Sequence, residues 1–263
     1  MLNILKNTFL FFTFAFIYAP IIILVVYSFN AGDHGFFWQG FSLRWYKEVF
    51  ESQQIKIVIY NTLSVAILSS LVSVTIGVLG AYGIYKTKNK RIKTVLLSIN
   101  KIPIINPDIV TGISLMTFYS AIKIQLGFPT MLMSHIMFST PYIVITILPK
   151  LYSLSENIID AARDLGASES QIFKNIIFPE IIGGVATGGL IAFTLSVDDF
   201  LISFFTTGQG VNNLSILINS LTKRGIKPII NAISSILFFV ILGLLFIINK
   251  FVGIKKLTTD TEI

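Results

Sequence analysis

Three carboxylates stand inside apolar runs, where an ionised side chain is costly. Asp108 follows Pro107 at the start of one run, and the adjacent Asp198 and Asp199 lie deep in another. An aspartate at the centre of a bilayer helix costs about 2.5–3.5 kcal/mol on insertion scales, so such acids usually face a cavity or a partner. Asp198 and Asp199 diverge by about 100° on a continuous helix, which predicts separate roles. At about 1.5 Å per residue, Asp198 lies roughly 25 Å beyond Ile181, toward the external side. Ser196, two residues earlier, is able to donate or accept a hydrogen bond. Each acid also has a structural alternative: Asp108 as the cap of a helix restarting after Pro107, Asp198 or Asp199 as the ion-pair partner of a neighbouring subunit.

Other chemistry is excluded. The chain has no cysteine, hence no disulfide framework, thiolate metal site or cysteine nucleophile. His34 and His135 are isolated from any second ligand at metal spacing and read as ordinary polar residues, so no metal site is expected. There is no G-x-x-x-x-G-K-[ST] phosphate loop and no catalytic Ser/His/Asp order, so the chain is not expected to be an enzyme.

The elements that hold these residues are long and apolar. Of 263 residues, 54% are hydrophobic and 13% charged, with mean hydropathy +0.79. Soluble domains carry about 25% charged residues, so this is an all-α membrane protein. A spanning helix needs about 20 mostly apolar residues, and six stretches qualify: Thr8–Phe29, Ile59–Tyr82, Ile102–Ile122, Phe128–Leu148, Ile181–Phe205 and Ile229–Ile248. The first is too long for a secretory signal and has no good cleavage site, so it is read as a retained helix. Six crossings put both termini on one side. That side collects 13 of the 20 lysines and arginines, which makes it cytoplasmic. The net charge of +7 therefore belongs to a membrane face, not to nucleic acid. Trp38, Trp45 and Tyr46 suit the external interface. Gly184 and Gly188 form a small-residue motif on the fifth span.

Residues 150–180 are too charged to span and too acidic for an anionic membrane surface, so a protein groove is the better partner. Ser153 with Glu156, and Ser168 with Gln171, form capping-box patterns. Gly166 lies where a helix end needs a left-handed residue. The reading is two short helices, Leu154–Leu165 and Glu169–Phe178, stopped before Pro179. In the second, Ile172, Phe173, Ile176 and Ile177 form one stripe, which leaves Glu169, Gln171 and Lys174 on the opposite side.

Asp160-Ala161-Ala162, three residues, Gly166, nine residues, Ile176 and then Phe178-Pro179 resemble the EAA loop of ABC importer permeases, E-A-A-x3-G-x9-I-x-L-P. Asp160 for Glu and Phe178 for Leu are the departures. Trp38-Gln39-Gly40-Phe41 with Trp45-Tyr46, Pro107-Asp108-Ile109-Val110, and Phe193 to Asp199 resemble permeases of spermidine/putrescine importers. The resemblance implies a type I ABC importer permease fold of six transmembrane helices with a cytoplasmic two-helix coupling segment, in the bacterial inner membrane. Residues 1–55 are the first helix and external loop. Residues 56–245 form the permease domain, and 246–263 a cytoplasmic tail. It further implies a second homologous permease, two ATP-binding subunits that hold the ATP, and an external polyamine-binding protein. In this reading Asp160, Ala161, Ala162, Gly166, Glu169, Ile176 and Pro179 couple to the ATPase, and Asp108, Ser196, Asp198, Asp199 and Trp45 line the solute path. A polyamine needs spaced anions, which give charge-assisted hydrogen bonds, and aromatic walls, which add cation–π attraction. Two alternatives stay open: a permease of the same fold for iron, a sugar or an amino acid, and a proton-coupled secondary transporter.

Overall fold

A computed structural model describes residues 2–33, 37–223, 225 and 227–259, and His34 falls outside them. The described residues are helical, apart from connections and one isolated antiparallel bridge between Asn30 and Phe41. Twelve helices follow along them: α1 (Leu2–Tyr27), α2 (Arg44–Glu51), α3 (Gln53–Lys86), α4 (Lys90–Ile105), α5 (Asp108–Ala121) and α6 (Phe128–Tyr152), then α7 (Glu156–Asp164), α8 (Glu169–Ile172), α9 (Phe178–Asp198), α10 (Leu201–Thr206), α11 (Leu214–Lys223) and α12 (Pro228–Thr259). A π-helical turn, Phe173–Ile177, joins α8 to α9.

Five helical stretches among the described residues are long and apolar enough to cross a membrane. The sequence predicts six, and the missing one is the third run, which is divided. Asn106 is extended at φ −69°, ψ 136°, and α5 restarts at Asp108. The cause is Pro107, which has no N–H to donate and drives the residue before it out of the helical region. The fifth run is divided as well. Asp199, at φ −63° and ψ 124°, ends α9, and α10 begins two residues later. The 100° divergence expected of Asp198 and Asp199 on one helix therefore does not apply.

The chain forms two compact units, Met1–Ile57 with Leu217–Leu244, and Val58–Ile216 with Leu245–Ile263. In the first, the loop after α1 is ordered around Asn30. The Asn30 side chain accepts from the Gln39 N–H at 2.8 Å and donates to the Phe37 carbonyl at 2.7 Å. The Trp45 indole N–H donates to the Asn30 carbonyl at 2.7 Å, which leaves the ring 4% exposed. Ser28 and Tyr46 share a hydrogen bond at 2.7 Å.

In the second unit, α3, α6 and α9 bury one aliphatic cluster that includes Val78, Ile143, Ile147, Ile181 and Val185. Lipid tails are as apolar as leucine, so such helices associate through close packing of small residues. A Cβ on Gly188 would stand 2.5 Å from the Thr146 hydroxyl and 3.2 Å from Ile143 Cα, and one on Gly184 3.1 Å from the Thr146 carbonyl. The small-residue motif thus marks where α9 lies against α6. Gly188→Val should cost about 1–3 kcal/mol through overpacking, seen as a lower unfolding temperature of the detergent-purified complex. Gly243→Ala, with no atom within 4 Å of the added methyl, should leave it unchanged.

Candidate functional site

An interrupted helix exposes backbone donors and acceptors that hydrocarbon cannot satisfy. At the fifth-span break, buried side chains of the same chain satisfy them. The Asp199 carboxylate accepts from the N–H groups of Ile202 at 3.2 Å and Ser203 at 2.7 Å, tying down the first turn of α10. His135 of α6 is fully buried and bonds through Nδ1 to the Ser196 hydroxyl at 2.6 Å and through Nε2 to the Ser203 hydroxyl at 2.9 Å. The same Nε2 lies 3.5 Å from the Asp199 carboxylate, whose side chain is 7% exposed. Asn213 donates to the Ser203 hydroxyl at 2.7 Å and to the Asp199 carbonyl at 3.2 Å. Ser69 of α3 donates to Ser196 at 3.2 Å.

The five residues expected along the solute path therefore separate. Asp108 and Asp198 are exposed. Ser196 and Asp199 are committed to the buried hub, and Trp45, on α2, is buried and bonded to the Asn30 carbonyl. The polar atoms of these three are engaged within the chain. The reading of His135 as an ordinary polar residue is corrected. A histidine inside an apolar run is itself a signal, but its partners lie 61 and 68 positions away. Helices α5 and α10 pack side by side, with Gly112 against Leu201, Ile202 and Phe205, while Gly208 sits against the Leu126 carbonyl past the far ends of both. They run parallel, which places Asp108 and the Asp198–Asp199 break at the same end.

The coupling segment keeps its expected two-part form with shifted limits. Glu156–Asp164 ends in a Schellman motif: the Gly166 N–H donates to the Arg163 carbonyl at 2.8 Å and the Ala167 N–H to the Ala162 carbonyl at 3.0 Å. Gly166 takes φ +82° to close it, and Ala162 and Ala167 pack on the buried cluster. Asp160 and Ala161 are exposed. Ser168 and Gln171 form the predicted capping box. Ser153 and Glu156 do not: the Ser153 hydroxyl donates to the Lys150 carbonyl, and the helix starts after Ser155.

Pro179 does not stop the second helix, which runs on from Glu169 to Asp198. The π turn, with the Phe178 N–H bonded to the Phe173 carbonyl, widens the helix just ahead of the proline ring. Ile172 and Ile177 are buried and Ile176 half-buried, as the stripe predicts.

Glu169, expected to face an ATPase, is exposed and ion-paired within the chain. Its carboxylate accepts from Lys86 at 2.8 Å and from Arg163 Nε at 2.9 Å, and Arg163 also reaches Asp160 at 2.8 Å. Lys86 and then Arg163 hold the Glu169 carboxyl below its usual range. The segment leaves Ile158 and Leu165 exposed, Leu165 at 89%.

Broken membrane helices with a buried polar hub, joined to a surface helix–turn–helix finger, define a membrane transport component. The chain matches the model for binding-protein-dependent transport system inner membrane components over residues 2–254, and it belongs to that family. Such components work within ABC importers that contain a binding protein and an ATPase. The chain is 35% identical over 240 residues to the spermidine/putrescine transport system permease protein PotC of Haemophilus influenzae, covering 91% of this chain and 93% of the relative. It is 32% identical over 230 residues to the putrescine transport system permease protein PotI of Escherichia coli, covering 85% and 82%. A solved bacterial alginate ABC transporter shares the fold, with TM-score 0.72 at 18% identity over 95% of this chain and 92% of that one. The MetNI methionine ABC transporter does so with TM-score 0.66 at 18% identity, over 78% and 99%.

Forcing a left-handed conformation on a residue with a Cβ costs roughly 1–2 kcal/mol. Gly166→Val adds that strain, while its Cβ meets nothing within 4 Å. It should lower the uptake obtained per ATP hydrolysed in the reconstituted complex. Glu169→Lys should do the same by setting three bases together, and Lys86→Glu/Glu169→Lys should recover part of the loss. A double variant no better than the single one rules out the clamp.

Proposed function

We propose that this chain is the permease subunit of an importer that carries polyamines such as spermidine or putrescine inward across a bacterial inner membrane. One observation carries the choice of cargo. The two interrupted spans each leave a carboxylate exposed, Asp108 and Asp198, at the same end of the packed α5–α10 pair. Two anions from different helices, with the exposed Phe204 ring on α10 and its centroid 5.5 Å from that of Phe200, match a flexible chain with spaced ammonium groups. The permeases named above, related over most of the chain, transport such compounds.

In this reading both termini and the coupling segment are cytoplasmic, in line with the lysine and arginine asymmetry. A second homologous permease completes the path, two ATP-binding subunits hold the nucleotide, and an external binding protein delivers the polyamine. The exposed Ile158 and Leu165, with Ala161 between them, form the face offered to an ATP-binding subunit. When ATP draws those subunits together, the finger moves with them. The continuous helix Glu169–Asp198, roughly 45 Å at 1.5 Å per residue, carries the displacement to the fifth-span break. The carboxylates hold the cation by charge-assisted hydrogen bonds, and a few spread acids bind weakly enough to release it.

A hydrogen bond to a charged group is worth about 1.5–3 kcal/mol, about ten- to a hundredfold in affinity. Asp198→Asn and Asp108→Asn should each raise the spermidine concentration for half-maximal uptake within that range, measured with labelled spermidine in proteoliposomes of the whole complex. Undiminished uptake by the assembled Asp108→Asn/Asp198→Asn variant would refute the assignment.

A further inference from the structure

The transport step proposed above uses Asp198 and leaves the fully buried His135 without a part. Its position is unusual. Ser196 belongs to the last turn of α9 and Ser203 to the first turn of α10, and a single imidazole bonds both, at 2.6 and 2.9 Å. Either neutral tautomer satisfies both bonds, because each hydroxyl can donate or accept. The two ends of the broken helix are thus fastened to α6 through one ring. Ser69 fastens the same break to α3, and Asn213 fastens it to the segment before α11.

Asp198 lies between these anchors. Ser196, two residues before it, and Asp199, directly after it, are both fixed. The Ser215 hydroxyl lies 3.2 Å from the Val197 carbonyl and 3.3 Å from that of Asp198, and donates to them. The backbone at Asp198 is therefore held on both sides, while its side chain alone is left exposed.

We infer that His135 is a positioning residue for solute binding: by pinning both ends of the fifth-span break, it presents the Asp198 carboxylate to the cation. The inference rests on the reading that Asp198 contacts the polyamine. It assigns His135 no contact with the solute.

The test uses the complete complex in proteoliposomes, with spermidine uptake and ATP hydrolysis measured for His135→Ala, His135→Gln, His135→Asn, Asp198→Asn and His135→Ala/Asp198→Asn. Loss of the pin should raise the half-saturating spermidine concentration of His135→Ala about tenfold, with ATP hydrolysis and co-purification of the subunits unchanged. Gln and Asn each keep one amide that can hydrogen bond, and the better placed of them should recover most of the loss. The double variant should be no worse than Asp198→Asn, because His135 acts through that carboxylate.

Effects that multiply in the double variant, or a His135→Ala variant that loses maximal rate with half-saturation unmoved, overturn the inference. An Asp198→Asn variant with unaltered half-saturation removes Asp198 from the path and the role of His135 with it. A raised value for Asp198→Asn beside an unaltered one for His135→Ala sinks the positioning role alone. If His135→Ala does not assemble, Ser203→Ala removes one arm of the pin, and the same comparison decides.

Discussion

A helix broken inside a bilayer must find partners for the backbone groups it frees, since hydrocarbon supplies none. That constraint organises this protein. At the third span the chain makes the break with Pro107, which has no donor to lose, while the Asn106 N–H still reaches the Ile102 carbonyl at 3.1 Å. At the fifth span an acid replaces the missing turn: Asp199 accepts from two N–H groups of α10, and His135, Ser203 and Asn213 surround it. A partly satisfied buried network is costlier than an apolar core. Asp199 is therefore as much a part of the fold as the aliphatic cluster below it. The exposed acids Asp108 and Asp198 owe their positions to these two breaks.

The other end of α9 meets a different problem. For the proposed coupling, the finger must be stiff along its axis and joined to the bundle at its base. Stiffness comes from helical continuity through Pro179, which the π turn permits. The join comes from Ile172 and Ile177 in the buried cluster, the Schellman turn at Gly166, and the Lys86–Glu169–Arg163 cluster. Exposed ion pairs are screened by solvent and add little stability, so these orient the finger more than they stabilise it. Burial of the isoleucines supplies the stability.

Much of this was legible in the residues. The spanning runs follow from length and hydropathy, because satisfying the backbone within one segment is a local requirement. The Gly166 turn and the Ser168–Gln171 cap are equally local, each closed within about five residues. The acids in apolar runs announced themselves, but their roles did not. Asp198 and Asp199 are identical in type and adjacent, and only the extended backbone at Asp199 turns one inward and leaves the other exposed. The bond from the Trp45 indole N–H to the Asn30 carbonyl, 15 positions away, was not legible in the residues either. Nor could the sequence show that Lys86, 83 positions away, pairs with Glu169.

By itself, the sequence determined that the chain crosses a membrane several times, that an acidic two-helix finger interrupts it, and that Gly184 and Gly188 mark a close helix contact. These are properties of periodicity, composition and turn chemistry, written within one or two helical turns. Tertiary structure alone decided where the fifth span breaks and which polar side chains close that break. It also decided that His135 is a hub and not a stray polar residue. The reason is physical: a buried polar group takes its role from whatever stands within hydrogen-bonding distance, and here those partners come from helices far apart along the chain.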